Sequence, residues 1–486
     1  MFKTFGAESS SPPRGLKWRS STLFITVVVG MGVFTDLFLY GIIVPVLPYV
    51  LKERAGLPAA QIQGTVSNLL AAYAAASVAA SPIAGILADK MPHGRKLPFV
   101  LGLVMLALAT VLLATGQTVT VLVLARVLQG VSGGVVWTIG LAIVVETVGQ
   151  DHLGKTMGTI FSFVSVAGLF APICGGALYA RTGYKGVFGV SIGLIAIDLI
   201  LRLLMVEKKV ASLYTGSNAQ DAATNNDEES DEQTPLLPHN KTTERQYQLA
   251  KPSNRISRFL PIILLLRNPA LVTAIWVTFM QAFLLGSFDA TVPLVASEVF
   301  DFGSLKAGLL FLPLGGADFL LGPVFGWGVD RYGTKIFSSL GFALLVPALV
   351  LLRLCPDPSI HAKLGTDRLI ALYAGLLAFN GIGLSIINSP SIVEAGYIVE
   401  KYSQVNPDIF EEAPYAQLYG ISSMVFSGGL TLGPLLAGYL KDRIGYGNMN
   451  AVLGGICGVT AVMAFFFMGR KVKDMRDRTI QGDRED

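Results

Sequence analysis

The sequence predicts an all-α membrane protein: twelve transmembrane helices in two six-helix bundles related by pseudo-twofold symmetry. Three observations predict it. Only 14% of the 486 residues are charged and 52% are hydrophobic, where an ordinary soluble protein carries about 25% charged residues. Apolar runs near the ~20 residues that a helix needs to cross a bilayer recur along the whole chain. The two halves of the chain also repeat each other at fixed offsets.

The apolar runs fall at 22–44, 64–88, 97–115, 119–145, 157–180, 187–206, 269–295, 305–328, 335–354, 368–394, 415–440 and 449–469. The stretch 1–21 is polar and lacks the apolar core and cleavage site of a signal peptide. Residues 207–260 hold the acidic block DEESDE and many Ser, Thr, Asn and Gln, the composition of a disordered linker. They divide the chain into a first bundle, 22–206, and a second, 261–470, followed by a tail, 471–486. Lys and Arg set the orientation: with the N-terminus inside, 25 lie on the inner side and 10 on the outer, so both termini are expected in the cytosol. The three cysteines, Cys174, Cys355 and Cys457, make no disulfide framework. The sequon Asn240-Lys241-Thr242 lies in the linker, where it would be unused.

The repeat is specific. APICGGALYARTGY (171–184) matches GPLLAGYLKDRIGY (433–446), with Pro172, Gly176, Arg181, Gly183 and Tyr184 each 262 residues before an identical residue. SPIAGILAD (81–89) matches GPVFGWGVD (322–330), with Pro82, Gly85 and Asp89 each 241 residues before an identical one. Equivalent helices in two parallel bundles point to a secondary transporter that rocks one half against the other.

Several local motifs carry a family resemblance. Gly85-x-Leu87-Ala88-Asp89-Lys90, followed by Gly94-Arg95-Lys96, resembles the signature loop of the major facilitator superfamily, lengthened by about two residues with Met91-Pro92-His93 inserted. ARVLQGVSGG in segment 4 and GLFAPICGG in segment 5 are similar to the superfamily's helix-4 and antiporter motifs. The opening from Asp36 to Pro48, NSPSIVEAGYIVE in segment 10 and YGISSMVFSGGLTLGP in segment 11 look most like vesicular amine transporters and the fungal drug:proton antiporters related to them. The resemblance implies proton-driven export of amphipathic, often cationic, organic molecules. The chain departs from the amine transporters at Tyr73, where they carry Lys, and at Asn388 and Ser423, where they carry acids, so drug or metabolite efflux is expected rather than monoamine transport.

Charges inside the membrane are expensive and mark function by default. Asp36 and Arg126, each counted seven or eight residues in from the outer surface, are expected at one depth, where an ion pair between them would serve as a proton switch or as a fixed structural bridge. Asp289 in segment 7 aligns with an acid of the amine transporters, and Asp318 in segment 8 is a further protonation candidate. The proton-coupling set is thus Asp36, Arg126, Asp289 and Asp318. Asp36, Tyr40, Trp137, Phe283, Asp289, Asn380 and Asn388 are expected to line an aromatic and polar substrate cavity. Asp89, Arg95, Lys96, Asp330, Arg331 and Lys335 are expected to latch the cytosolic side, since carboxylates beside helix ends can break and re-form as the halves move. Asp198 and Arg202, four apart on one helix face, are read as a self-neutralised pair.

GQDHLGKT (149–156) fits a phosphate-binding loop, but it joins two membrane segments without the strand and soluble helix such a loop needs. No ATP chemistry, enzyme activity, cofactor or metal is expected, and the dispersed basic residues give no nucleic-acid surface. The expected partners are a small organic substrate, protons and the lipid bilayer, with the protein acting as a monomer. EQTPLL (232–237) looks like an acidic dileucine sorting signal, leaving plasma membrane and vacuolar or endosomal membrane both open. The function expected is a proton-coupled antiporter, or else a facilitator or importer without proton antiport.

Overall fold

The computed structural model describes residues 15–90, 95–149, 152–212, 214, 247–249, 260–302, 304–356, 358–410 and 413–469. The insertion Met91–His93, the sorting motif, the sequon and most of the expected tails and linker lie outside them. All regular structure among the described residues is helical. The spans are α1 (Thr22–Ile43), α2 (Ala59–Asp89), α3 (Lys96–Thr115) and α4 (Val119–Val148). A continuous helix, Leu153–Leu204, turns at Gly183 (φ 63°), dividing it into α5 (153–182) and α6 (184–204). The second half holds α7 (Pro269–Phe300), α8 (Phe311–Tyr332), α9 (Thr334–Leu351), α10 (Thr366–Ile387), α11 (Tyr415–Ile444) and α12 (Tyr446–Phe467). Ten described helices are long and apolar enough to cross a membrane. Dividing the α5–α6 helix and adding α8, which carries Asp318, Asp330 and Arg331, accounts for all twelve expected runs.

Local sequence explains where several spans begin. Ser21, Thr118 and Asn268 each accept a backbone N–H of the first turn, of Phe24, Val121 and Ala270 respectively, meeting donors that a helix start leaves open. After α10 the chain breaks at 388–389 and resumes as Pro390–Val405, because Pro390 has no N–H to continue the ladder.

Within the first half α1 packs on α5 and α2 on α4; within the second α7 packs on α11 and α8 on α10. The halves meet along two seams, α2 with α11 and α5 with α8. A Cβ on Gly85 would lie 2.3 Å from Ala416 O, and one on Gly326 2.2 Å from Gly154 O. A Cβ on Gly420 would lie 2.7 Å from Ser81 O, and one on Gly158 2.1 Å from Gly322 O. The same offsets of 241 and 262 that relate the sequences relate these contacts pair by pair. Glycine is required at these places because backbone meets backbone. Farther along the same helices, Gly168, Gly176, Gly315, Gly316 and Gly428 have nothing within 4 Å of a built Cβ. The seams are therefore tight at the end where α1 starts, called the base here, and diverge toward the opposite end, the top.

Asp198 and Arg202 form the expected pair. Arg202 Nε and Nη2 donate to the two Asp198 oxygens at 3.0 and 2.8 Å, Nη1 donates to Phe99 O, and both residues are fully buried. The linker starts later than its composition suggests. Glu207 is buried, and its Oε1 accepts the backbone N–H groups of Arg95 and Lys96 at 2.8 and 2.5 Å, a carboxylate cap on α3. At the far side, Asn406 accepts from Leu249 N and donates to Tyr247 O, both at 2.8 Å.

Candidate functional site

Asp36 is buried on the first half's inner face, with no exposed surface. Its Oδ2 accepts from the Tyr73 hydroxyl at 3.0 Å. Gly133 of α4 makes room for this contact: a Cβ there would fall 2.8 Å from the Tyr73 hydroxyl and 2.9 Å from Asp36 Oδ2. Tyr73 packs on Tyr40 with ring centroids 4.6 Å apart, and the Arg126 guanidinium lies over the Tyr40 ring at 5.4 Å, a cation–π distance.

The direct Asp36–Arg126 ion pair is not formed. Arg126 Nη1 donates to Gln129 Oε1 at 2.8 Å instead. The reason lies at the outer end of the first span. After Ile43 the chain turns and resumes as a helix, Leu47–Glu53, so this element reaches Glu53 rather than stopping at Val44. Asp36 consequently sits level with Gly133, seven residues and about 10 Å beyond Arg126 along α4. The two tyrosines occupy the space between carboxylate and guanidinium.

Across the opening, Asp289 of α7 is exposed and lies near enough to Tyr40 to act on it electrostatically. Below, Trp137 stacks on Phe426 at 5.6 Å and meets Phe161 at 6.4 Å, joining α4, α5 and α11 in an aromatic floor. Asp318 of α8 lies in the α5–α8 seam, where it accepts from Ser165 and from Asn388 Nδ2. Asn388 Oδ1 in turn accepts from Gln281 Nε2 at 2.6 Å.

Two expected cavity residues are elsewhere. Asn380 Nδ2 donates to Ala348 O and Leu376 O at 3.0 and 2.9 Å, turned toward α9. Phe283 is buried against Phe279, beneath α11, and lines an apolar groove of about 440 Å³ with Trp276, Leu435 and Tyr439. Both follow from a buried position in a polytopic bundle, where most apolar and amide side chains face a neighbouring helix rather than the central chamber.

Residues 29–406 match the Major Facilitator Superfamily. The chain belongs to that family. It is 42% identical to the MFS-type transporter ppzB of Metarhizium rileyi over 474 residues, covering 94% of this chain and 97% of that protein. It is 22% identical to the vesicular acetylcholine transporter of Drosophila melanogaster, over 88% of this chain and 68% of that one. Its fold is like that of the human organic anion transporter MFSD10, with a TM-score of 0.60 at 17% identity, covering 93% of this chain and all of that one. It is a multi-pass membrane transporter.

The base of this major facilitator chain is closed by two matching contacts. Asp89 accepts from the backbone N–H groups of Ala416 and Gln417 at 3.0 and 2.8 Å, and Asp330 from those of Gly154 and Lys155 at 2.6 and 2.8 Å. Each carboxylate thus sits on the N-terminus of a helix in the other half, where unmatched N–H groups and the helix dipole favour negative charge. Arg95 pairs with Asp89 and Glu146, both at 2.8 Å. Arg95 thus stays within the first half, and the other three expected latch residues do not bridge the halves either. Lys96 Nζ donates to Leu203 O and Met205 O, within the first half. Among the described residues Arg331 and Lys335 make no ion pair; they lie over Trp327 and Phe465 at 5.4 and 4.2 Å. Sequence reasoning missed Phe161, Ser165, Gln281 and Phe426 altogether. For Ser165 the signal was present, since the offset of 262 relates it to Ser427 on the other seam.

Proposed function

We propose that this protein is a proton-coupled antiporter that exports a small amphipathic organic compound by alternating access. The carrying observation is a buried carboxylate, Asp36, hydrogen-bonded to a tyrosine beside a chamber open at the top and shut at the base. The Lys and Arg distribution supports taking the base as the cytosolic side, so the described state faces outward. The relationship to a vesicular acetylcholine transporter, and the acids Asp36 and Asp289 on opposite walls, support a substrate carrying a positive charge among aromatic rings, with Tyr40 and Trp137 as contacts.

On this reading Asp36 exchanges a proton for substrate. Protonation removes the charge that a cation would match and weakens what Tyr73 donates to, so proton and cation compete for one carboxylate. Tyr40 and Tyr73 hold Arg126 apart from Asp36, which leaves the carboxylate without a guanidinium partner. Asp289, open to the chamber, attracts the cation from solvent. The membrane is either the plasma membrane or that of a vacuole or endosome, with export meaning removal from the cytosol in each case.

Reconstitution into proteoliposomes tests the reading. A compound found by a resistance and metabolite-export screen should accumulate against its gradient when a pH gradient is imposed, and Asp36→Asn should abolish that accumulation while the protein still inserts. Counterflow that is indifferent to the pH gradient would make the protein a facilitator instead. Asp289→Asn should weaken cationic substrates much more than neutral ones; equal losses would remove Asp289 from substrate recognition.

A further inference from the structure

The two seams are related by the sequence offsets, yet they differ at one place. On α2 and α11, Ser77 Oγ meets Ser427 Oγ at 3.2 Å. Adding 241 to Ser77 gives Asp318, and subtracting 262 from Ser427 gives Ser165. Asp318 and Ser165 are in contact on α8 and α5. A neutral hydroxyl pair on one seam is thus matched by a hydroxyl and a carboxyl group on the other.

The groups around Asp318 are uncharged. Ser165 faces it from α5, where Ser162 donates to the neighbouring Phe319 O at 3.1 Å, and Asn388 and Ser385 face it from α10, with Gln281 of α7 behind Asn388. No charged or titratable side chain among the described residues reaches it from α9, the other span packed on α8. Ser165 Oγ also lies 3.1 Å from Phe161 O. A hydroxyl has one proton and two lone pairs. Toward an ionised Asp318, Ser165 donates; toward a protonated Asp318, it accepts, and its own proton turns to Phe161 O. The contact therefore survives in either protonation state while the seam is shut. Asp318 is half-buried while the seam is closed; partial loss of hydration disfavours the ionised form and full hydration on opening relieves that cost, so a closed seam favours the proton and a wet, open seam favours its loss.

We propose that Asp318 is a second proton site, separate from Asp36, which keeps its proton while the α5–α8 seam is closed and releases it toward the base when that seam opens. The step moves one proton from the Asp318 carboxyl group to water and leaves the carboxylate hydrated. Ser165 and Asn388 are positioning residues, and the matching place on the α2–α11 seam, the Ser77–Ser427 pair, holds no titratable group. The direction toward the cytosol rests on the function proposed above; the seam's response to pH does not.

Spin labels at Lys155→Cys and Tyr332→Cys, with the three native cysteines replaced, report the width of the base in detergent or nanodiscs without substrate. The distance distribution should shift to longer values as pH rises. Asp318→Ser, which gives this seam the same hydroxyl pair as the other, should lose the shift, and the conservative Asp318→Asn should lose it too. Adding Ser77→Asp to Asp318→Ser should restore a pH response through the opposite seam. Persistence of the wild-type shift in both Asp318 variants overturns the proposal, as does a wild-type distance that ignores pH. If transport proves independent of a pH gradient but the shift is lost with Asp318, the antiporter reading fails and the seam site stands. If transport is proton-driven but the distance ignores pH, the seam site fails and the antiporter reading stands.

Discussion

Where α2 meets α11, Asp89 holds two backbone N–H groups of the opposite helix's first turn, Gly85 and Gly420 admit its backbone, and two serines touch above them. Where α5 meets α8, Asp330, Gly326 and Gly158 repeat those contacts, but an aspartate replaces one serine. Backbone approach and helix capping by carboxylates are thus duplicated, while a further carboxyl group above the caps is placed on one side only. The duplicated contacts set the geometry of closure. Under the proposal for Asp318, the difference gives one seam a state that solvent and pH alter.

The largest effect should come from filling a glycine. Gly158→Val places a branched side chain where a single Cβ already falls 2.1 Å from Gly322 O, and overpacking of this kind costs about 1–3 kcal/mol or more. The base should stay open, transport should be lost, and labelling of Lys155→Cys from the base should rise sharply. Gly420→Val has slightly more room, 2.7 Å from Ser81 O, and should do less harm. Equal labelling in both would mean that the seams yield together. Next in size are the two caps. Asp89→Asn and Asp330→Asn should each weaken closure by about 0.5–2 kcal/mol, with Asp89 the costlier because Arg95, buried, leans on it as well. Label distances across the base measure this, and a larger loss for Asp330 would break the ranking. The smallest effects concern the hydroxyls. Ser165→Ala removes a hydrogen bond to a carboxyl group, about 1.5–3 kcal/mol when that group is ionised, whereas Ser77→Ala removes a neutral one, about 0.5–1.5 kcal/mol. Thermal stability measured at high and low pH should show a pH-dependent loss for the first and a constant one for the second.

Much of the fold was legible because membrane insertion demands it. Hydrocarbon forces long apolar helices, so all twelve spans could be read from hydropathy, and the repeat fixed which helices are equivalent. The capping carboxylates were legible for the same reason: Asp89 and Asp330 recur at one offset beside helix ends. Arg331 and Lys335 were not separable from them, because proximity in sequence says nothing about which side chain turns toward the other half. Asp36 and Arg126 failed on depth. Residues 44–46 look like the end of a span, yet the chain resumes its helix to Glu53, and an error of a few turns is enough to separate a pair of buried charges. Since they do not touch but share the Tyr40–Tyr73 pair, the stability losses of Asp36→Asn and Arg126→Ala should couple weakly, by about 0.5 kcal/mol, and a coupling of about 3 kcal/mol would put them back in contact. Phe283 and Asn380 illustrate the remaining limit. An aromatic or amide in a span is chosen by its neighbours on every side, and only the packed structure tells which side is the chamber.

Glu207 and Asn406 anchor the ends of the central connection separately, one onto α3 of the first half and the other within the second. Each bundle therefore finishes its own termini before the connecting chain begins. Register between the bundles comes from four helices meeting at two seams, and the peptide between them contributes mainly proximity. A gene cut within it would be expected to yield two polypeptides that find one another in the bilayer, which makes the connection a natural place for insertions that leave the transport cycle untouched.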